Sequence, residues 1–152
     1  MTTTTQSTGS RRRRARRGVS FIEVVTVLVV ISVLVSMAAP SFTRTIEQSH
    51  ADIAGANLQA IWSAQRFYWL ENRTYATSLA QLDALDLLDP SIVNGTRRYT
   101  FRIANADDDS FQAEALRSGS TRWSGTFVVD ETGDIMGTIK ASGAPDISPA
   151  LY

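Results

Sequence analysis

The chain has 152 residues, 43% of them hydrophobic, with no cysteine, one histidine and a formal charge of zero. That length supports one domain of ordinary size. Without cysteine there are no disulfides, thiolate metal centres or cysteine nucleophiles, and a lone His50 excludes a histidine-rich metal site within one chain. The zero charge is an average. Residues 1–18 hold six arginines and no acid, which leaves 9 basic against 15 acidic groups in the remainder, net −6. That remainder gives no electrostatic support to a nucleic-acid role.

Four zones follow in chain order. Residues 1–18 begin as low-complexity "MTTTTQSTGS", expected to be disordered, and then turn strongly basic (Arg11 to Arg14, Arg16, Arg17). Residues 19–39, "VSFIEVVTVLVVISVLVSMAA", are apolar apart from Glu23 and a few hydroxyls. As a helix they span ~31 Å, about one bilayer core. Their valines and isoleucines suit a strand in water, but a backbone in lipid must satisfy its own hydrogen bonds, which favours a helix. Pro40 removes the bond to the Ser36 carbonyl and is expected to kink the helix. Residues 40–70 then continue a helical pattern, with Phe42, Ile46, Ile53, Ala60, Ile61, Ala64 and Tyr68 at steps of roughly three to four. This half is read as having one apolar face that needs a partner.

Residues 71–152 have a different character. "ENRTYATSLAQLDALDLLDP" reads as a loop, then a short helix or turn over about 78–87, then a stop at Pro90. In "RRYTFRIA", Tyr99, Phe101 and Ile103 alternate with polar residues, and in "SFQAEALR" Phe111, Ala113 and Ala115 do the same. "ANADDDS" between them is a hairpin loop, and "SGTFVVD" and "DIMGTIK" flank a second turn, "ETGD". The expected fold is α+β: one long kinked helix of about 50 residues whose second half covers a four-stranded antiparallel sheet. The tail "ASGAPDISPALY" reads as coil.

The opening stretch has ordinary explanations. A basic region, an apolar run and "SMA" before "AP" resemble a secretory signal, and a plain single-span anchor has the same composition. Neither explains Glu23. A carboxylate in a bilayer costs ~2.5–3.5 kcal/mol by insertion scales, and neither a signal nor an anchor has a use for it.

The stretch "RRGVSFIEVVTVLVVISVLVSMAAPSF" resembles the class III N-terminal signal of type IV pilins and the related pseudopilins. That pattern is a basic leader ending in glycine, a hydrophobic mature start, glutamate fifth and proline twenty-second in the mature chain. Here Gly18 ends the leader, Val19 begins the mature chain, Glu23 is fifth and Pro40 twenty-second. Val19 departs from the family's usual phenylalanine. "SAQRFYWLENRTYATSLAQL" is also similar to the stretch that closes the pilin helix. The resemblance implies a pilin-like structural subunit without a cofactor. Prepilin peptidase would cut between Gly18 and Val19 and N-methylate Val19. The new terminal amine of a neighbour would pair with Glu23 and set register. The implied partners are other copies or related subunits in a helical polymer, the peptidase, an inner-membrane assembly platform and the membrane itself. The implied location is the bacterial inner membrane, then a cell-surface pilus or a periplasmic pseudopilus. A type IV pilus subunit is the first reading, a type II secretion pseudopilin the alternative, and an exported binding protein with an ordinary signal a further one.

Other constellations are weaker. Asp107, Asp108 and Asp109 could hold calcium, but three successive residues cannot easily converge on one ion, and a solvated loop is favoured. Arg98 and Arg102, with Arg97, Arg117 and Arg122 nearby, could form a DNA patch. Cross-strand pairing with Glu114 and its neighbours on a wet sheet face is the simpler reading, because residues from 71 onward hold 7 basic and 12 acidic groups. Nucleic acid is therefore not expected as a partner. Trp62, Trp69 and Trp123 are expected in the core or in subunit packing. "NRT" and "NGT" match a glycosylation acceptor only formally. No nucleophile–base pair, carboxylate dyad or phosphate loop is visible, so an enzyme is not expected.

Overall fold

The computed structural model describes residues 18–150, apart from the side chains of residues 37–41. The arginine-rich leader before Gly18, the side chain of Pro40 and the last two residues lie outside the described residues, and so do the expectations placed on them. The chain divides into two compact units, residues 1–39 and 40–152. Its elements are α1 (Phe21–Asn72), α2 (Leu79–Asp83), α3 (Pro90–Val93), β1 (Tyr99–Ala106), β2 (Phe111–Arg117), β3 (Ser124–Asp130) and β4 (Ile135–Lys140). The strands form one antiparallel meander in the order β1-β2-β3-β4, so the fold is α+β with a long helix on a four-stranded antiparallel sheet.

In the first unit, α1 starts where the Ser20 carbonyl accepts the N–H groups of Glu23 at 3.0 Å and Val24 at 3.2 Å. The helix is uninterrupted through Pro40. In the second unit, α1 buries Ala51, Ala54, Leu58, Ile61 and Ala64, steps of three and four that place them on one face. The sheet answers with Phe101, Phe111, Ala113, Ala115, Phe127, Val129 and Ile139, and all belong to one core.

Two polar residues end the buried helix stripe. Glu47, 3% exposed, lies one turn before Ala51 and receives Arg117 of β2, with Nε to Oε1 at 2.5 Å and Nη2 to Oε2 at 3.0 Å. Arg117 Nη1 also donates to the Arg98 carbonyl at 3.1 Å and to the Ser118 carbonyl. Gln65, one turn after Ile61, is fully buried. Its amide donates to the Ala76 carbonyl and accepts the Ala76 N–H, each at 2.8 Å. Between them, Gln59 Nε2 donates to the Gly133 carbonyl at 2.9 Å and Trp62 Nε1 to the Glu131 carbonyl at 3.1 Å. Further on, Trp69 Nε1 donates to the Asp108 carbonyl at 2.9 Å. Both hairpin turns are thus pinned to the helix. Gly133, at φ +90, lies so close to the Trp62 indole that a Cβ would come within 3.0 Å of it, so the turn needs glycine for both conformation and space.

Four sequence expectations are corrected. The residues grouped as one helical stripe lie on two faces: Ile61 and Ala64 are buried, whereas Phe42, Ile46 and Ile53 face outward. Pro90 does not stop a helix but begins α3, with Asp89 as N-cap accepting the Ser91 N–H at 2.7 Å; the first helical position needs no N–H. β1 continues through Ala104, Asn105 and Ala106, with a bulge between Ile103 and Asn105. The tail is not plain coil, because Ile147 is fully buried and pairs antiparallel with Ile139 through bonds of 2.8 and 2.9 Å. Beyond it, Gln48 Nε2 donates to the Ser148 carbonyl at 2.7 Å, and Asp52 Oδ1 accepts the Ala150 N–H at 2.9 Å.

Removing one member of a buried ion pair leaves the other uncompensated. Arg117→Ala in a fragment of residues 42–152 is expected to lose about 3–5 kcal/mol in urea unfolding. Glu47→Leu combined with Arg117→Met should recover most of that loss. Equal losses in the single and double variants would show that the site needs the directional bonds of the pair, which apolar volume does not replace.

Candidate assembly surface

The first candidate surface lies in the first unit. Every described residue from Gly18 to Ser36 is exposed. Thirteen of them are large apolar side chains between Val19 and Val35, with Phe21 at 84% exposure. Valine and isoleucine are weak helix formers, so a helix of this composition depends on something covering it. Covering thirteen such side chains is worth on the order of 20 kcal/mol. Among the described residues no helix is long and apolar enough to cross a membrane. The described apolar side chains of this unit, Phe21 to Ser36, rise ~24 Å as a helix, short of the ~30 Å hydrocarbon core. The expected span of residues 19–39 needs the three positions whose side chains lie outside the described set.

Glu23 is exposed in the first turn of α1, where a carboxylate is favoured by the helix dipole. Its carboxylate has no hydrogen bond or ion pair with a described residue. It borders a shallow hollow of about 290 Å³ lined by Val19, Val24, Val27 and Leu28, so Val19 and Glu23 share one side of the helix start. A Cβ placed on Gly18 would meet nothing within 4 Å. Among the described residues nothing would obstruct a side chain at that position.

A second surface lies on the outer face of α1 in the second unit. Phe42, Ile46, Ser49, Ile53, Ala56, Ala60, Ser63, Phe67 and Leu70 recur at alternating steps of four and three. Ile53 is 53% exposed and Phe67 62%. A 3.5-residue repeat of this kind is the seam along which one helix meets another. Sequence reasoning missed it because its members interleave with the buried stripe. The signal was the second repeat, in which Ile53, Ala60 and Ser63 each stand one residue before the buried Ala54, Ile61 and Ala64.

The polar candidates separate in space. Arg102 pairs with Glu114 across β1 and β2, Nε to Oε2 at 2.8 Å, as the cross-strand reading expects. Arg117 does not join it on the wet face: it points inward to Glu47, and Arg98 lies 3.7 Å from the same carboxylate. Asp107 shapes a turn rather than holding an ion. Its Oδ1 accepts the N–H groups of Asp109 at 2.9 Å and Ser110 at 2.7 Å, and these bonds hold its carboxyl below the usual range. Among the described residues no group of three acidic, histidine or cysteine side chains could hold a metal. Partial burial, then the charge of Arg98, lowers the His50 pKa. The Tyr99 hydroxyl is buried without a hydrogen-bond partner, and burial followed by the Glu47 charge pushes its pKa far up. Trp123 is buried, as expected for a core residue, while Trp62 and Trp69 are half-buried.

Residues 40–125, more than half of the chain, match the family described as "Type IV minor pilin ComP, DNA uptake sequence receptor". This chain belongs to that family. It is a pilin-like, structural and non-catalytic subunit. Relatives support the wider grouping of pilins and pseudopilins. The chain is 28% identical over 88 residues to "Type II secretion system core protein G" of Klebsiella michiganensis, covering 58% of this chain and 61% of the relative. It is 27% identical over 110 residues to "Type IV wide pilus major component PilA4" of Thermus thermophilus, covering 72% and 80%. It is 28% identical over 74 residues to the core protein G of Pseudomonas aeruginosa, covering 49% and 52%. The chain thus spans between half and four-fifths of the length of these relatives.

The two helix faces give opposite expectations for the pilin head. Leu58→Ala should cost about 2–5 kcal/mol in the fragment of residues 42–152, since it opens a cavity. Ile53→Ser and Phe67→Ser should change unfolding by no more than about 0.5 kcal/mol, because more than half of each side chain is exposed among the described residues. A large loss from either outer variant would place that residue in the folded core instead.

Proposed function

We propose that this pilin-like chain is a filament subunit of the secretion-pseudopilus kind, cut between Gly18 and Val19, N-methylated at Val19 and polymerised through α1. The observation that carries the reading is the exposed segment from Val19 to Ser36, which has thirteen large apolar side chains around the single carboxylate of Glu23. Before assembly this segment would sit in the bacterial inner membrane, with the leader arginines on the cytoplasmic side. In the filament, neighbouring helices would replace lipid. Cleavage frees an α-amine, whose reference pKa is about 7.7–8.0, and N-methylation leaves it basic. A neighbour's ammonium would meet Glu23 and offset the cost of both charges away from water. Pro40, which cannot donate to the Ser36 carbonyl, is the expected point of bending. The peptidase and an inner-membrane assembly platform are the implied partners.

The secretion reading is favoured by relatives named as core protein G of type II secretion systems. A second reading, a type IV pilus subunit acting in DNA uptake, is favoured by the family description and by the PilA4 relative. Deleting this protein separates the two. Lost export of folded proteins to the medium supports the first; lost surface pili or lost DNA uptake with normal export supports the second.

Sequencing the mature N-terminus should find Val19, with a mass increase for methylation. A start at Ala39 or Pro40 would instead identify an exported protein with an ordinary signal. Gly18→Val should remain uncut, because the branched side chain blocks close approach at the scissile bond. Glu23→Val should be cut normally and stay in the membrane pool, but enter sheared filaments about ten-fold less, equivalent to ~1.4 kcal/mol of lost pairing. Equal incorporation of wild type and Glu23→Val would remove the charge pair from the mechanism.

A further inference from the structure

We propose that a groove at one end of the head receives the acidic β1–β2 turn of a second copy, so that successive heads join end to end. The inference rests on the filament reading above and adds to it a contact outside the assembly helix. The groove encloses about 320 Å³ and is lined by Thr43 and Glu47 of α1, Arg98, Arg117, the Gly119–Ser120 turn, Arg122 and Trp123. Three arginines and one carboxylate therefore line the groove. Arg117 already holds both oxygens of Glu47. Arg98 is 3.7 Å from that carboxylate, with 44% of its side chain exposed, and it is free to turn outward. Arg122 lies over the Trp123 ring, 5.8 Å from its centroid, and has no carboxylate partner among the described residues. The neighbouring Arg97 also has none.

The opposite end carries the complement. Asp107 spends both carboxylate oxygens on Ser110 and the Asp109 N–H, which presets the turn. Trp69 ties that turn to α1 through the Asp108 carbonyl. The carboxylates of Asp108 and Asp109 are exposed and make no ion pair with a described residue. Along α1 the groove is marked by Glu47 and the turn by Trp69, and those 22 positions rise ~33 Å. The two surfaces therefore cannot meet within one head. A contact between unlike ends of identical chains is heterologous and propagates rather than closing on itself. Charge complementarity of this kind sets register and suppresses wrong partners. A nucleic-acid backbone is the other anionic partner the groove could take. The acidic excess of the chain beyond the leader works against it, whereas a second copy supplies its own acidic turn.

The full-length chain has no cysteine, so cross-linking reports only introduced pairs. Thr121→Cys and Asp109→Cys, combined in one chain and oxidised in sheared filaments, should give a ladder beyond dimer on a non-reducing gel. Each single variant can reach dimer at most. Arg122→Glu should lower filament incorporation about five-fold, as should Asp108→Arg with Asp109→Arg, and combining all three should restore it. A merely structural defect would not be rescued by reversing the partner. Filaments that depend on Glu23 but show neither ladder nor rescue overturn this contact and leave the filament reading intact. Duplex DNA binding lost in Arg122→Glu, with no ladder, assigns the groove to nucleic acid and overturns it as well. A wild-type chain absent from filaments overturns both readings.

Discussion

The buried pair of Glu47 and Arg117 fixes the rotation of α1 on the sheet, and the rest of the head follows from that rotation. A carboxylate 3% exposed must find a cation, and the inward row of β2 offers one only at its end, after Phe111, Ala113 and Ala115. Once Glu47 faces Arg117, Ala51, Ala54, Leu58 and Ile61 must face the sheet. Gln65 then reaches Ala76, and Trp62 and Trp69 reach the two hairpin turns. A hydrophobic stripe alone would allow a helix to slide by a turn, whereas directional bonds at both ends do not. The alanines of the helix and of β2 allow close approach, so position is set by hydrogen bonds and volume is filled by Leu58, Phe111 and Phe127.

The same rotation forces the outer stripe into the open. With one face committed to the sheet, Ile53, Phe67 and Leu70 are left largely exposed. Ser49, Ala56, Ala60 and Ser63 lie between the larger residues, so a second helix could come close at the middle of the stripe. The first unit has no comparable division. There the apolar residues surround the helix, as in a segment that exchanges a lipid environment for several neighbouring helices.

The strands and hairpins were legible because their alternation has period two and their turns carry Asp, Gly and Asn. The helix was legible as a helix but not as two faces. Ile53 and Ala54 are adjacent in sequence, one exposed and the other buried, and a pattern of steps of three and four accepts both. The buried pair was missed although its signal was present. Arg117 continues the inward parity of Phe111, Ala113 and Ala115, and Glu47 continues the series of Ala51, Ala54 and Leu58. A charge on the apolar parity of each element is what a buried pair looks like in one sequence. The structural role of the tail was not legible, because Ile147 stands alone between prolines and Gly143, and only the unpaired edge of β4 gives it a place. Gly18, Val19 and Glu23 were singled out by resemblance to a family signal, and among the described residues the Glu23 carboxylate makes no hydrogen bond or ion pair.

Glu23 and Glu47 pose the same physical problem at two stages of the protein's life. Glu47 enters a low-dielectric environment when the head folds, and its cation comes from the same chain. Glu23 remains exposed in the single chain, and on the proposed reading it would be desolvated only when other helices surround it. On the proposed reading its cation would be supplied at that moment by a terminal amine, which cleavage would create only on processed subunits. Such a coupling of charge to cut would make an uncut chain costly to pack, since it would place an uncompensated carboxylate among apolar helices. The carboxylate would then check processing as well as register, while the head, held by its own internal pair, would need no change at the cut.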